Sequence, residues 1–391
     1  MKVFVIPSWF PPNGGSFFLE QSIILNEKFE ETVLYVEPIS ICEIIKKPLV
    51  IKKLFNIEEE LIDGLKILRA FNLRVPKFWL PNIYIEQYAY IRLYKYAVKK
   101  YGKPNLLHVH SSIWGGWYAY KIKIKYKVPY IITEHRGRFV DNKYAQKENQ
   151  LPTNFKKYLL KIFSNSSYIC PVSSAMIDKI KYYSPDSRVK AIFNMVNEEL
   201  FYYIKFRKRK KFTFIVVAGL IPLKGIDILL YSFKEVINRY SECELLIIGD
   251  GIEKDNLLKL NKKLNITQQV YFLGTQSRDM VSKYMKESHA FVLPTKYEAF
   301  GVVFAEALVV GLPVISTKKS GGPDDFINSK NGTLVEIDNI NELSVAMKNM
   351  VKNYSKYNNK EIADNAKRLF GKEYFQKHYM EIYKKVVDAE C

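Results

Sequence analysis

The chain has 391 residues, 48% of them hydrophobic and 14% aromatic, which is enough for two domains of roughly 200 residues that each bury a core. No low-complexity segment indicates disorder, and no window approaches the ~20 apolar residues that a membrane-spanning helix needs. The net charge of +20 favours an acidic partner such as nucleic acid, anionic lipid or a polyanionic substrate, although a general lysine bias along the chain explains the same excess.

The cysteines indicate a reducing compartment. Cys42, Cys170, Cys243 and Cys391 lie far apart, and no Cys-x-x-Cys spacing occurs. The first six residues fit a strand and are too short for an export signal. We therefore expect free thiols in a cytoplasmic protein, either soluble or peripheral on a membrane.

Short apolar runs alternate with longer amphipathic ones along the chain, which is the pattern of βαβ units. The first series of predicted strands covers residues 3–6, 32–36, 107–110, 130–132 and 168–172. After a basic connector at 202–211, the second series covers residues 212–218, 245–248, 270–273, 290–293 and 314–316. The pattern predicts an α/β fold of two Rossmann-like, doubly wound parallel-sheet domains, with a boundary near residues 198–211.

The loop after the first strand carries Gly14 and Gly15 directly before a predicted helix. Adjacent glycines can turn backbone amides toward a phosphate, and they are also common in ordinary turns. Further along, residues 75–100 form a predicted helix that mixes tyrosines with lysines and arginine. Such a helix either buries one face in the protein or lies on an anionic membrane.

Three histidines follow or end predicted strands of the first half. His108 and His110 end one strand, and Thr133-Glu-His135 ends another, at the edge where open α/β sheets bind ligands. The alternate spacing of His108 and His110 suggests zinc, but no third ligand of matching context occurs, so a structural role is favoured for both.

In the second half, Gly219 and Lys224 lie in the loop after the first strand of the second series. The most informative segment is 291–322, where an apolar run ends at Pro294 and Glu298 and Gly301 precede a helix that carries Glu306. The first amides of a helix attract phosphate, and two carboxylates can accept hydrogen bonds from sugar hydroxyls. These residues predict a site for an anionic ligand rich in hydroxyl groups.

The Glu298 and Glu306 pair, with seven residues between, resembles the signature of the retaining glycosyltransferases of family 4, and Gly321-Gly322 follows as in that family. The resemblance implies the two-domain GT-B fold and transfer of a sugar from a nucleotide diphosphate sugar, without a metal or cofactor. It implies an acceptor-binding domain at 1–200 joined by a C-terminal helix at 372–391, and a donor-binding domain at 201–371.

The same resemblance assigns roles to individual residues. It gives catalytic roles to Glu298 and Lys224, with Glu298 at the transferred sugar and Lys224 at the diphosphate, and a further catalytic role to His135 beside the reactive carbon of the sugar. Many relatives carry an arginine where this chain has Gly219, five residues before Lys224. The remaining donor-binding positions that it implies are Gly14, Gly15, Gly219, Ala299, Phe300, Gly301, Val302 and Glu306, the last of these at the ribose.

The implied acceptor is a glycan or a lipid-linked sugar in surface polysaccharide or glycolipid synthesis, reached at the inner face of the cell membrane. Two alternatives share the predicted fold: a nucleotide-sugar epimerase and a non-catalytic protein that binds sugar nucleotides. A glycosidase needs its two carboxylates about 5–10 Å apart, whereas eight residues of helix rise ~12 Å. Nucleic acid is not expected as a partner, because the basic residues are dispersed and no recognition motif occurs.

Overall fold

The computed structural model describes residues 1–12, 14–75, 79–140, 142–148, 155–205 and 208–389. Phe206 and Arg207 of the basic connector, residues 76–78 of the tyrosine-rich segment, and Cys391 lie outside the described residues. The other three cysteines are free thiols.

The first half of the chain forms a seven-stranded sheet. Its strands are β1 (Lys2–Pro7), β2 (Glu30–Ser40), β3 (Ile57–Ile62), β4 (Leu65–Arg74), β5 (Leu106–His110), β6 (Tyr130–Glu134) and β7 (Tyr168–Pro171). Their order is β3-β4-β2-β1-β5-β6-β7, and every neighbouring pair is parallel except β3 with β4. The helices of this half are α1 (Ser16–Asn26), α2 (Ile41–Lys46), α3 (Trp79–Tyr101), α4 (Trp117–Tyr126), α5 (Lys143–Glu148), α6 (Phe155–Ser164) and α7 (Ile177–Tyr183).

The second half forms a six-stranded parallel sheet. Its strands are β8 (Thr213–Val217), β9 (Glu244–Ile248), β10 (Val270–Gly274), β11 (Ala290–Val292), β12 (Val314–Thr317) and β13 (Gly332–Val335), in the order β10-β9-β8-β11-β12-β13. Its helices are α8 (Ile226–Ile237), α9 (Lys254–Lys263), α10 (Arg278–Glu287), α11 (Val302–Val309), α12 (Ile340–Lys352) and α13 (Asn359–Phe370), and a last helix, α14 (Lys372–Asp388), closes the chain.

Alternation along β1 shows how the first sheet is covered on both faces. Phe4 and Ile6 pack in one apolar cluster with α3, α4 and α6, whereas Val3 and Val5 pack in another with α1 and α14. All five residues of β9 in the second sheet are buried, which also requires cover on both faces. The predicted architecture of two doubly wound parallel sheets is therefore confirmed.

The sequence pattern missed β3, β4 and β13, and β3 makes the first sheet mixed rather than wholly parallel. Strands β3 and β4 form a hairpin whose turn is Asp63-Gly64, and both residues have positive φ, at 48° and 78°. This dipeptide is a strong hairpin signal that the apolar pattern alone does not weigh. Strand β3 carries Glu58, Glu59 and Glu60, charges that suit the edge of a sheet.

Helix α14 returns to the first sheet from the end of the second half. Its apolar face, formed by Phe375, Tyr379, Ile382, Tyr383 and Val386, joins the cluster that contains Val3 and Val5. The division into domains at 1–200 and 201–371 stays a prediction. The first sheet ends with β7 at Pro171 and the second begins with β8 at Thr213.

Candidate functional site

Lys224 lies in a short 3-10 turn, Pro222–Lys224, between β8 and α8. The turn is held to the loop after β11, where the Lys296 amide donates to the Leu223 carbonyl at 2.8 Å. Gly225 follows with φ 64°, and a Cβ built there would lie 2.4 Å from the Pro294 carbonyl oxygen. Only glycine fits this close approach, so the backbone fixes where Lys224 stands.

Glu298 lies in the loop between β11 and α11, and its carboxylate accepts a hydrogen bond from Lys224 Nζ at 2.5 Å. Gly301 caps α11 with φ 78°, and no side chain caps the free amides at this helix end. Ala299 and Val302 are half-buried, while Phe300 is buried against Phe193, Phe326 and Phe370. Phe300 can therefore offer a ligand only its backbone.

The Gly321-Gly322 loop packs directly on Glu298. The Glu298 amide donates to the Ser320 carbonyl at 2.7 Å, and a Cβ on Gly321 would lie 2.1 Å from the Glu298 carbonyl oxygen. Asp324 accepts from the Lys319 and Gly321 amides at 2.7 and 3.0 Å, so it caps its own turn. Three loops of the second sheet thus meet at Glu298.

Gly219 also lies in the loop after β8, but its surroundings are open. A Cβ built at this position meets no heavy atom within 4 Å. Its φ lies outside the left-handed region that favours glycine. Gly219 is therefore not required by the backbone, and a larger side chain has room there.

Glu306 lies on α11 and contacts a residue that sequence reasoning missed. Arg278 Nη2 donates to the Glu306 carboxylate at 3.2 Å, while Nη1 pairs with Glu20 on α1. Burial raises the pKa of the Glu306 carboxyl to about 7, against the lowering effect of Arg278. Arg278 thereby connects the two halves, and nothing local in its sequence context marks it.

The glycine loop of the first half stands at the amino end of α1. Gly14 and Gly15 have φ of 90° and 78°, and Gly15 precedes α1 with no side-chain cap. A Cβ on Gly15 would lie 2.8 Å from the Trp9 carbonyl oxygen, so the backbone of Gly15 packs closely on that of Trp9 and leaves no room for a side chain. Among the described residues no side chain caps the amino end of α1, and an anion-binding turn there stays a prediction.

His135 packs on the first turn of α1. Its ring centroid lies 5.3 Å from that of Phe17 and 4.9 Å from that of Phe18, and its Nε2 is 3.1 Å from His110 Nδ1. Burial, then His110 and Arg136, lower the pKa of His135 well below its usual value, so the ring is neutral at pH 7. The structure places His135 against the helix that follows the glycine loop, and its catalytic role stays a prediction.

His108 and His110 are buried beneath this surface. His108 Nε2 is 2.7 Å from the Thr133 hydroxyl, and its Nδ1 is 2.6 Å from the Tyr383 hydroxyl on α14. Burial lowers the pKa of His110 to about 3. Within the described ranges, no group of three His, Cys, Asp or Glu side chains is placed to hold a metal ion.

The segment after β6 belongs to the first half and contacts loops of the second half. Gly137 lies so close to Tyr297 that a Cβ there would be 2.6 Å from the ring. Asn142 donates to the Lys296 and Lys319 carbonyls at 3.1 and 2.7 Å. Arg136 and Arg138 flank Gly137 in this segment, directly after His135, and no motif in the sequence marks either of them.

Two family models match consecutive parts of the chain. The model described as Glycosyltransferase Family 4 matches residues 58–200, and the model described as Glycosyl transferases group 1 matches residues 203–369. Together they cover most of both sheets and include Lys224, Glu298 and Glu306.

Curated relatives align over part of their length. A 2-deoxystreptamine N-acetyl-D-glucosaminyltransferase of Niallia circulans is 25% identical over 271 residues, which is 65% of this chain and 69% of that protein. For three uncharacterized glycosyltransferases, two from Methanocaldococcus jannaschii and one from Haemophilus influenzae, the aligned part is 66%, 29% and 43% of the relative's length. This chain therefore spans less than two thirds of those three relatives.

Solved structures match the whole chain in fold. Sucrose-phosphate synthase from Thermosynechococcus elongatus superposes with a TM-score of 0.78 at 18% identity, covering 100% of both chains. Anabaena HepE in complex with UDP and glucose superposes with a TM-score of 0.70 at 16% identity, covering 98% of this chain and 100% of HepE. The fold is GT-B, and these comparisons give no support to the epimerase or the non-catalytic alternative.

Proposed function

The chain belongs to the glycosyltransferases of family 4, and on this premise we propose that it transfers a sugar from a nucleotide diphosphate sugar to an acceptor hydroxyl. The observation that carries the proposal is the contact of Lys224 with Glu298 beside the uncapped amino end of α11. A cation, a carboxylate and free helix amides at one point suit a ligand that joins a sugar to a diphosphate.

Different groups of the site bind different parts of the donor, according to their charge. Lys224 and the first amides of α11 bind the diphosphate, because both supply positive charge. Glu298 accepts hydrogen bonds from hydroxyls of the transferred sugar, and Glu306 accepts them from the ribose. HepE was solved with UDP and glucose, so uridine nucleotides are the first donors to test.

In the proposed reaction, the bond between the sugar's anomeric carbon and the β-phosphate oxygen breaks as the acceptor oxygen bonds to that carbon. The acceptor's proton passes to the departing phosphate, and the configuration of the anomeric carbon is retained. Stabilising the charge on the leaving diphosphate is then the main catalytic task. His135 is neutral, and it stands beside the reacting sugar as a hydrogen-bonding group rather than as a charge.

We propose that this reaction needs no cofactor. Lys224 and the amides of α11 and of the glycine loops stand where a divalent ion would otherwise balance the diphosphate. Chelation with EDTA should leave the transfer rate unchanged. A rate that falls with EDTA and returns with Mg²⁺ or Mn²⁺ would contradict this part of the proposal.

We propose that the acceptor is a glycan or a lipid-linked sugar of surface polysaccharide or glycolipid synthesis, met at an anionic membrane surface. No helix in the described ranges is long and apolar enough to cross a membrane. Helix α3 buries Tyr90, Leu93 and Tyr94, so most of the tyrosine-rich segment is an ordinary packed helix.

Several strongly exposed apolar side chains lie on the segment between β2 and β3. Ile45, Leu49, Phe55 and, on α3 itself, Tyr88 are each more than 70% exposed. Arg92 joins α3 to this segment by donating to the Leu54 carbonyl at 3.2 Å. The same segment carries the lysines Lys46, Lys47, Lys52 and Lys53. Apolar side chains among lysines suit the surface of an anionic bilayer.

Vesicle sedimentation tests the membrane contact. The protein should bind vesicles that contain phosphatidylglycerol and not vesicles of phosphatidylcholine alone, with weaker binding at high salt. The double variant Leu49→Glu/Phe55→Glu should lose this binding, while Ile252→Glu, an equally exposed apolar position in the second half, should not. Equal binding by all three proteins would refute the assignment.

A donor panel tests the reaction itself. The protein is incubated with UDP-, GDP- and ADP-sugars, with and without membrane extract, and release of the nucleoside diphosphate is measured. Release that depends on the extract supports transfer, and interconversion of the donor sugar without transfer would favour an epimerase. Binding without turnover would favour a sugar-nucleotide sensor. Absence of binding to every donor would overturn the proposal.

A further inference from the structure

Two guanidinium groups in the segment after β6 form no ion pair with a carboxylate of the described residues. Arg136 donates from Nη2 to the Ile113 carbonyl at 3.1 Å and lies over the Trp9 ring at 4.8 Å, but its Nε is buried without a partner. Arg138 has no hydrogen-bond acceptor among the described residues, and its Nε is buried as well. Each arginine is only partly exposed.

The nearest carboxylate is already occupied. Glu134 accepts from the Ser112 amide at 2.8 Å and from the Ser112 hydroxyl at 2.5 Å. Its other oxygen accepts from the His135 and Arg136 amides, both at 2.9 Å. Four donors satisfy this carboxylate, so it holds the backbone of the segment and forms no ion pair with either side chain.

Burial lowers the pKa of both Arg136 and Arg138, and the neighbouring Glu134 only partly offsets this. Placing two like charges together, partly out of water and with both Nε atoms unpartnered among the described residues, costs free energy that a purely structural role does not recover. A guanidinium presents a planar fork of donors that matches a carboxylate or a phosphate. The missing component is therefore an oxyanion.

The position of the pair indicates which substrate carries that oxyanion. Both arginines belong to the first half, and Gly137 between them packs on Tyr297, the residue before Glu298. Of the groups assigned to the donor diphosphate, Lys224 and the α11 amides belong to the second half, and the amides of the Gly14-Gly15 loop belong to the first. Burial lowers the pKa of Arg138, while Glu134 and the hydroxyls of Tyr183 and Tyr297 act in the opposite direction.

We propose that Arg136 and Arg138 bind an oxyanion carried by the acceptor, a phosphate or a carboxylate, and so restrict the enzyme to anionic acceptors. This inference rests on the proposed glycosyl transfer for its role. The oxyanion site itself can be tested without it.

Direct titration tests the site with two probes. Glycerol 3-phosphate and succinate are titrated by calorimetry into the full chain, which distinguishes phosphate from carboxylate recognition. Arg136→Gln and Arg138→Gln should each weaken binding of the preferred probe by about 10- to 100-fold, the loss of a charge-assisted hydrogen bond. Arg138→Lys keeps the positive charge but not the planar fork of donors, so it should recover only part of the binding that Arg138→Gln loses.

Three controls separate this site from the donor site and from general charge. Lys224→Met should leave probe binding unchanged, and so should Arg188→Gln, which removes an exposed arginine of the first half. A saturating nucleoside diphosphate should not compete with the probe. Retained nucleoside diphosphate affinity in the Arg136 and Arg138 variants shows that they are folded.

The outcomes are distinguishable from failure of the proposed function. If no sugar nucleotide binds, but the probe binds the natural chain and not the arginine variants, the oxyanion site is supported and the proposed transfer reaction is refuted. Probe binding that is unaffected by both arginine variants overturns the inference. Competition by a nucleoside diphosphate, or no probe binding at millimolar concentration, also overturns it.

Discussion

Nζ of Lys224 lies 2.5 Å from Oε1 of Glu298, although 74 positions separate the two residues in the chain. The contact joins the loop after β8 to the loop after β11, and these strands are neighbours in the second sheet. Both side chains are partly exposed, so the pair contributes at most ~1 kcal/mol to stability. In the proposed donor site, the pair holds a cation and the carboxylate assigned to the sugar at one point.

Replacing either member should therefore reduce transfer with little effect on folding. We expect Lys224→Met and Glu298→Gln each to lower kcat by about 10²- to 10³-fold, because each removes a group that acts on the reacting sugar or the leaving diphosphate. Unfolding free energies should change by less than about 1 kcal/mol. Lys283→Met, which removes an exposed lysine of α10, is the matched control. Rates equal to that control in both variants would refute the assigned roles.

Two glycines of the β8 loop should respond in opposite ways to a side chain. Gly219→Arg should fold normally, because a Cβ there meets nothing within 4 Å, and the added cation should tighten nucleoside diphosphate binding. Gly225→Ala should lose about 1–3 kcal/mol of stability, since its φ of 64° and the Pro294 carbonyl both exclude a Cβ. Thermal melts and calorimetric titrations measure the two effects. A destabilised Gly219→Arg chain would show that the loop is not open.

Nucleotide affinity should depend on pH through Glu306. Burial raises the pKa of this carboxyl to about 7, so the carboxylate that we propose accepts from the ribose becomes more populated as pH rises through neutrality. We expect nucleoside diphosphates to bind more tightly at pH 8 than at pH 6 by up to ~10-fold. Glu306→Gln should remove this part of the pH dependence. The affinity should then change with pH only through the titration of the ligand's own phosphate.

The sugar of the nucleotide provides a second test of Glu306. The natural chain should prefer ribonucleoside to 2′-deoxyribonucleoside diphosphates, because the deoxy ligand lacks one donor to the carboxylate. Glu306→Gln should bind the two with more similar affinity. If the variant keeps both the full pH profile and the full ribose preference, Glu306 does not contact the ribose.

Glu31 should make the protein less stable as pH rises. Burial raises the pKa of Glu31 from 4.5 to about 8, so the folded state holds a proton that the unfolded state releases between these values. The stabilisation is complete below pH 4.5 and is lost as pH rises to about 8, at up to ~1.4 kcal/mol per pH unit.

Glu31→Gln should remove this dependence. Its stability relative to the natural chain should increase steadily from about pH 5 to pH 8, measured by urea unfolding at several pH values. The stability of the Glu235→Gln variant, changed at an exposed position on α8, should vary with pH in the same way as that of the natural chain. If the Glu31→Gln curve is also parallel, Glu31 is ionised in the folded state.

The sequence by itself determined the two series of strands, the loops that end them and the types of residue at the donor site. Apolar periodicity and glycine placement are local, so they can be predicted from a few consecutive residues. The Asp63-Gly64 hairpin was also within reach of local reasoning, although the apolar pattern missed it.

Only the tertiary structure decided which charges meet. Arg278 joins Glu20 and Glu306, and α14 brings Tyr383 to His108 from 275 positions away. Within the described residues, neither Arg136 nor Arg138 has a partner for its buried Nε, and Glu134 is already satisfied by its neighbours. Such pairings depend on strand order and on how helices cross the sheets, and an attraction between side chains acts through space rather than along the chain. No local pattern of residues encodes them.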